Sequence, residues 1–463
     1  MPLRLESALR AEGAAGHPVP TVAARRDPRR WVRWLAIGAL VLIGARISLP
    51  QGIEVGHVAA LVLLPVWLPV VRRYRWGWAL FGTGVLAALS GIWLTFFNAG
   101  DHSTDGSLLT STTVLLVGAL LAIGVVLWAR RVLPESSVTL WFGVGLLLAV
   151  NPGSPLYPSN PWKFGFAVPV AIIALSLAHK SGRRWLQLLV LGALTVASGL
   201  NDSRSAFAIL LLAAIIVAFQ VIPKGKNRSL SAARMVLGLG GLTAVIYNLG
   251  QALILDGYLG ASTQARTLQQ VETSGSLILG GRPELAATWA LFRHQWWGFG
   301  SGTVPSVTDI TAAKTGMAAI NYAPDNGYVE VYLFGGHYEL HSIAGDFFAH
   351  FGLPGLLFLV VVVIAAVWGI AIRIADRTAT GVIVFATATS LWGVGFSPFY
   401  SAEPLFVLML GMLAIPLAAR PTENAPHSAL RRAPLSARLG APPRAPVPVV
   451  TPDPLPPRGP RAR

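Results

Sequence analysis

The residues with the greatest capacity for chemistry are His341-Ser342, followed after nine intervening residues by Gly352-Leu353-Pro354-Gly355. They stand where a long polar stretch runs back into a hydrophobic one. Histidine is the side chain that titrates near neutral pH without help. Arg204, in Asn201-Asp202-Ser203-Arg204-Ser205, and Arg282, in Gly281-Arg282-Pro283-Glu284, occupy similar polar positions. A guanidinium binds two phosphate oxygens at once and does not deprotonate. A histidine opposite arginines at a membrane surface points to acid–base chemistry on a phosphorylated, lipid-anchored substrate.

Hydrophobic helices must hold these residues. The 463-residue chain is 54% apolar and 12% charged, where a soluble domain carries about 25% charged residues, so most of it is expected to dissolve in lipid. Cysteine is absent, which removes disulfides and thiolate chemistry. At roughly 17–25 residues per crossing, apolar runs near 31–49, 53–71, 76–97, 109–129, 138–152, 164–178, 185–200, 206–222, 233–252, 346–370, 381–397 and 404–419 predict about twelve spans. Of the 36 Lys and Arg residues, 29 fall in alternate linkers and the two tails. Arg46, Lys163, Arg204, Arg266, Arg282, Arg293 and Lys314 are left for the other side. The positive-inside rule then expects both termini in the cytoplasm and His341, Arg204 and Arg282 on the exported face.

The net charge of +16 is accordingly assigned to anionic lipid heads, with no nucleic acid as partner. Residues 1–30 and 420–463 are too poor in apolar side chains to bury a core and read as disordered basic tails. Arg25-Arg26 resembles the start of a twin-arginine export signal. No cleavage pattern follows it, so the first span reads as an anchor. The expected organisation is helices over 31–252, one large exported segment over 253–345, and helices again over 346–419.

That exported segment is long enough to fold over the membrane and to carry function. Arg282-Pro283-Glu284-Leu285 opens a helix, with proline in the first turn and an acid suited to the helix dipole. Leu285, Trp289, Phe292 and Trp296 follow at helical spacing as its apolar face. Gly298-Phe299-Gly300-Ser301-Gly302 ends it and lets the backbone come close to a ligand or another segment. Asp309, Asp325, Glu330 and Glu339 are carboxylates that could orient His341 or replace it as base, and nothing ranks one above another. Tyr322, Tyr328, Tyr332 and Tyr338 could stack on sugar rings; for each singly, loop packing is the plainer role. For Arg204 the plainer role is pairing with Asp202 or with bulk lipid phosphate.

Ser203-Arg204 opening a span, Gly281-Arg282 with Trp289 and the Gly298-Phe299-Gly300 turn, and His341-Ser342 before Gly352 and Gly355 together resemble the O-antigen ligase and polymerase superfamily. These are bacterial membrane glycosyltransferases. The detailed similarity covers about 195–370; the first six spans agree only in number and orientation. The resemblance implies an all-α, GT-C-like polytopic fold in the bacterial inner membrane. It implies transfer of a glycan from a polyprenyl diphosphate carrier to an acceptor hydroxyl, such as lipid A-core or a growing glycan, with no metal or cofactor. Arg204 and Arg282 would then take the diphosphate, with Arg293 and Arg266 in reserve. His341 would accept the acceptor proton or donate to phosphate, and Glu339 and Asp325 are additional candidates for the site. Ligase, polymerase and protein O-oligosaccharyltransferase share the donor, so the motifs do not divide them.

Other chemistries fit less well. His337-Tyr338-Glu339-Leu340-His341 puts two histidines at i, i+4, but a zinc peptidase needs the glutamate directly after the first histidine. Asp101-His102-Ser103-Thr104-Asp105 has the wrong spacing for a paired-acid metal motif and reads as a solvated loop. A transporter or flippase should carry its ionisable residues at the membrane midplane. Here they collect on one face, with only Arg46, Glu54, His57 and His350 in or beside spans.

Overall fold

A polypeptide in hydrocarbon must satisfy its peptide groups internally, which leaves helices as the only way to use long apolar runs that are not barrel strands. The structure, a computed structural model, describes residues 28–221, 232–255, 264–265, 267–268, 272, 282–325 and 327–417. Nearly all of both expected tails, most of 256–281 in the exported segment, and with it Arg266, lie outside the described residues.

The helices run α1 (Pro28–Ala45), α2 (Val55–Val62), α3 (Leu64–Val71), α4 (Gly77–Phe97), α5 (Gly106–Val132), α6 (Glu135–Leu148) and α7 (Ala167–Lys180). They continue α8 (Arg184–Leu200), α9 (Arg204–Phe219), α10 (Ala232–Leu255), α11 (Glu284–His294), α12 (Val307–Ala318), α13 (Ile343–Ala375), α14 (Gly381–Phe396) and α15 (Phe399–Leu413). No β-strand occurs among the described residues; three isolated bridges join loops. Helix lies over each apolar run, though the second is divided at Leu63, where Pro65 starts a new helix. Four helical stretches, Gly77–Gly100, Gly106–Val132, Trp162–Lys180 and Ile343–Ala375, are long and apolar enough to cross a membrane, and five shorter helices are also apolar. Val62, Phe96, Leu148 and Leu200 are each at least 66% exposed. An apolar exterior over an apolar interior is the make-up of an α-helical membrane protein.

α5 runs through the core, with Leu116, Ala122, Val125 and Ala129 wholly buried. One end of the bundle is tied by charge. The Glu135 carboxylate holds Arg373 through both oxygens (2.6 and 3.1 Å) and Arg130 at 3.1 Å. Arg130 also donates to the Gly411 and Ala414 carbonyls, and Arg373 to that of Met412. These are the last carbonyls of α15, which lack partners within their own helix. Arg184 at the start of α8 donates to the carbonyls of Gln220 and Arg377, binding the end of α9 to the turn before α14. The basic linkers at 130–131, 184 and 373–377 are therefore gathered at one end.

The opposite end carries the loops with the candidate chemistry. A second apolar core forms there from Ala287, Leu291, Phe299, Ala313, Met317, Leu333, Tyr338 and Leu340, and reaches Phe348 and Ala349 of α13. It joins the bundle through Asn98, whose amide donates to the carbonyls of Phe299 (2.6 Å) and Gly298 (3.3 Å). Gly298 and Gly352, both at positive φ, let two backbones cross in contact. A Cβ on Gly298 would stand 2.6 Å from the Gly352 Cα. The glycine-rich turn thus serves approach to another segment.

Candidate functional site

α11 begins where the Pro-Glu signal places it, one residue after Pro283. Its buried face is Glu284, Ala287 and Leu291, while Trp289 is 62% exposed and Trp296 lies beyond the helix. Of the expected aromatic face the tryptophans are thus turned outward, while Phe292 packs on Phe348. Small residues decide the packing: Gly316 of α12 sits against Ala286 and Ala290, leaving no room there for tryptophan.

Glu284 is buried at the start of α11 and accepts from Arg282 at 3.2 Å. The Arg282 guanidinium also lies over the Phe396 ring at 5.8 Å. Tyr328 stands beside the same carboxylate. Burial, and then the charge of Glu284, push its phenol well above the ordinary tyrosine range. On its other side the Tyr328 ring is 6.4 Å from the His341 imidazole. Arg282 and His341, 59 residues apart in sequence, are therefore linked through Glu284 and Tyr328.

His341 has φ of 51°, a left-handed conformation uncommon for any residue with a side chain. Its Nδ1 is 3.0 Å from the Glu339 carbonyl oxygen. A carbonyl only accepts, so Nδ1 carries the proton of the neutral ring and Nε2 keeps its lone pair. Nε2 lies 3.8 Å from the Glu339 carboxylate. This is the tautomer a general base needs, with an anion placed to stabilise the cation formed by proton uptake.

Glu339 also takes His337 Nε2 at 3.4 Å and the Tyr400 hydroxyl at 3.3 Å. The Glu339 hydrogen bond raises the His337 imidazole above its ordinary value despite burial. Burial works to raise the Glu339 carboxyl, but His337 and His341 outweigh it and hold it below the usual carboxylate range. The two histidines do not lie on a helix, so their i, i+4 spacing lacks the geometry of a zinc helix. Among the described residues no group of three His, Asp or Glu side chains is disposed to hold a metal ion.

The loop is fixed from behind by Asp346, which the sequence marked only as a helix beginning. Its buried carboxylate accepts from the Leu340 amide (3.0 Å) and the Phe399 amide (2.7 Å). It thereby ties the residue before His341 to the start of α15. Ser342 caps α13 through the Gly345 amide, and His350 Nε2 meets the Tyr338 carbonyl at 2.9 Å.

Arg204 opens α9. Arg184 ties the far end of that helix to the basic end, so Arg204 stands about 24 Å away, at the end that holds His341. It pairs with Asp202 at 3.4 Å. No hydrogen bond or ion pair joins it to Arg282 or His341 among the described residues. Arg293 is exposed, about 16 Å from Arg282 along α11. Asp325 and Glu330 both pair with Lys314.

The structure corrects two readings of polar residues. In the 101–105 stretch Asp101, Ser103, Thr104 and Asp105 are exposed, as in a solvated loop, but it is anchored as well: Asp105 caps α5, Thr104 bridges Thr303, and the His102 side chain is buried. His102 Nε2 is 2.9 Å from Asp309, and the same buried carboxylate accepts from Tyr338 (2.9 Å) and the Ser306 amide (2.8 Å). Asp309 thus separates from the other loop carboxylates as the hub of the second core. Tyr338, stacked on Phe299 at 4.4 Å, is a core residue. Glu403 of α15 is buried 3.9 Å from Arg46, which also holds Glu54 at 3.0 Å. Glu403 carried no sequence signal, because its partner lies in the α1–α2 linker.

Compared with protein families, with curated proteins and with solved structures, the chain matches none.

Proposed function

We propose that this chain is a membrane glycosyltransferase of the O-antigen ligase type, with about twelve spans in a bacterial inner membrane and its site on the exported face. The substrate is a glycan on a polyprenyl diphosphate, and the acceptor is a hydroxyl such as that of lipid A-core. The observation that supports this reading is the chain of contacts from Arg282 through Glu284 and Tyr328 to His341. The acceptor oxygen attacks the anomeric carbon, the bond from that carbon to the diphosphate oxygen breaks, and the acceptor proton passes to Nε2 of His341. Glu339 stabilises the imidazolium. Arg282 takes charge developing on the diphosphate, and Arg204, at the same end of the bundle, meets the carrier's headgroup. Charged hydrogen bonds of this kind contribute about 1.5–3 kcal/mol each. The buried ionisable cluster of Arg46, Glu54 and Glu403 lies near this end as well, which disfavours a midplane transport site.

The test is transfer in vitro by purified protein with a polyprenyl diphosphate glycan and a panel of lipid, glycan and peptide acceptors, with and without EDTA. His341→Ala and Arg282→Ala should each lower turnover by about 10²-fold or more while the protein stays folded. Near-normal transfer in either variant removes that residue from the site. Loss of transfer in EDTA removes the metal-free mechanism.

A further inference from the structure

The turn before the histidine loop is a five-residue π-helical segment, Val329–Leu333. Its register sends Val329 and Leu333 into the second core and leaves Val331 66% and Tyr332 59% exposed. Tyr332 stacks on Tyr328 with ring centroids 5.4 Å apart and planes inclined by 29°. One face of the Tyr332 ring is therefore covered and the other is open. Gly327, Tyr328, Val331 and Tyr332 line a cleft of about 300 Å³, the small end of the range for ligand sites.

Exposed aromatic residues on α4, such as Trp93 and Phe96, have no charged residue on their helix, as a lipid-facing surface should. The Tyr332 cleft differs, because Lys314 lies alongside, pairing with Asp325 and with Glu330, the residue between Val329 and Val331. Apolar ring faces next to charged hydrogen-bonding groups match a ligand with one apolar face and a polar edge. A pyranose has that form: its axial C–H bonds meet the negative face of an aromatic ring, and its hydroxyls take the charged groups. The inner wall of the cleft, Tyr328, is the residue that touches the His341 side.

We propose that the Tyr328–Tyr332 cleft is a pyranose-binding subsite that stacks the first sugars of the glycan and turns the reacting end toward His341. The identity of the ligand rests on the glycosyl-transfer reading, but its binding can be measured without turnover. Saturation-transfer-difference NMR on the full chain in nanodiscs would use tetrasaccharides of glucose, galactose and mannose as probes. At least one probe should take up saturation, most strongly at its ring C–H protons. Tyr332→Ala should weaken that binding about tenfold and Tyr332→Trp should restore it. Equal binding by the wild type and Tyr332→Ala, or no saturation of any probe, overturns the subsite.

Because the chain has no cysteine, Tyr332→Cys gives a single spin-label position. Access to a water-soluble nickel reagent is expected, whereas access to oxygen alone would make the cleft a lipid contact and sink the proposal. Sugar binding in a protein that transfers nothing would leave the subsite standing and remove the glycosyltransferase reading.

Discussion

Asp346 gives the sharpest test of how the histidine loop is held. Asp346→Ala strips the acceptors from two amides, those of Leu340 and Phe399, now at 3.0 and 2.7 Å. A buried amide left without a partner costs about 1–3 kcal/mol, so the pair amounts to roughly 2–6 kcal/mol if no water enters. Asp346→Asn keeps one oxygen acceptor and turns an NH2 toward the other amide, so about half of that cost is expected. Hydrogen exchange followed by mass spectrometry reads the two amides directly. Each 1.4 kcal/mol is tenfold, so in the asparagine variant protection should fall by roughly 10- to 100-fold in one of the two peptides holding Leu340 and Phe399, and in the alanine variant it should fall in both. The peptides around Glu135 and Arg373 serve as the unchanged reference. In the alanine variant, protection that stays at the wild-type level in both peptides, or falls in only one, would refute the reasoning that Asp346 clasps the two segments together.

Gly352→Ala should cost at least about 1–3 kcal/mol from its positive φ alone, with more from contact against Leu94 and the Trp297 carbonyl. Gly82→Ala, where a Cβ meets nothing within 4 Å, should be neutral or stabilising in the same thermal melt. Tyr338→Phe keeps the stack on Phe299 but removes the bond to Asp309, and should lower stability by about 1.5–3 kcal/mol; an unchanged melting midpoint would deny Asp309 its role as hub. The His337–Glu339 pair predicts a pH window. Glu339 is depressed, so its contribution is complete above about pH 4.3 and is lost as pH falls through its lower folded value. His337 is raised, so its contribution is complete below about pH 6.5 and is lost as pH rises through its higher folded value. Melting midpoints measured from pH 4 to 9 should decline above neutrality in the wild type, and that decline should be smaller in His337→Gln.

Helices were legible because lipid leaves apolar runs little choice, and the turn at Arg282-Pro283-Glu284 was legible because capping chemistry is local. The face of α11 was not. Its spacing favours the tryptophans, but the neighbour it meets is a glycine-bearing helix that accepts only alanines at close range. His341 and Arg282 could each be singled out from their own surroundings. Their connection could not, since it passes through Glu284 and Tyr328, neither of which announces itself. Asp309 meets His102 across 207 positions, a separation at which no periodicity carries information. The same reason hid Glu403 and Asp346: a buried acid is recognisable only once its partners are in place.

The ties at the basic end also set an order of assembly. Arg130 of α5 reaches carbonyls 281 and 284 residues later, and Glu135 reaches Arg373 across 238. At roughly 5–20 residues per second, a ribosome needs some 15–60 s to make the intervening chain. Through that interval Arg130 and Glu135 have each other and the Tyr74 ring, 5.5 Å from the Arg130 guanidinium, but not their later partners. Closure then comes late and in two steps, when α13 brings Arg373 to Glu135 and when α15 brings its last carbonyls to Arg130.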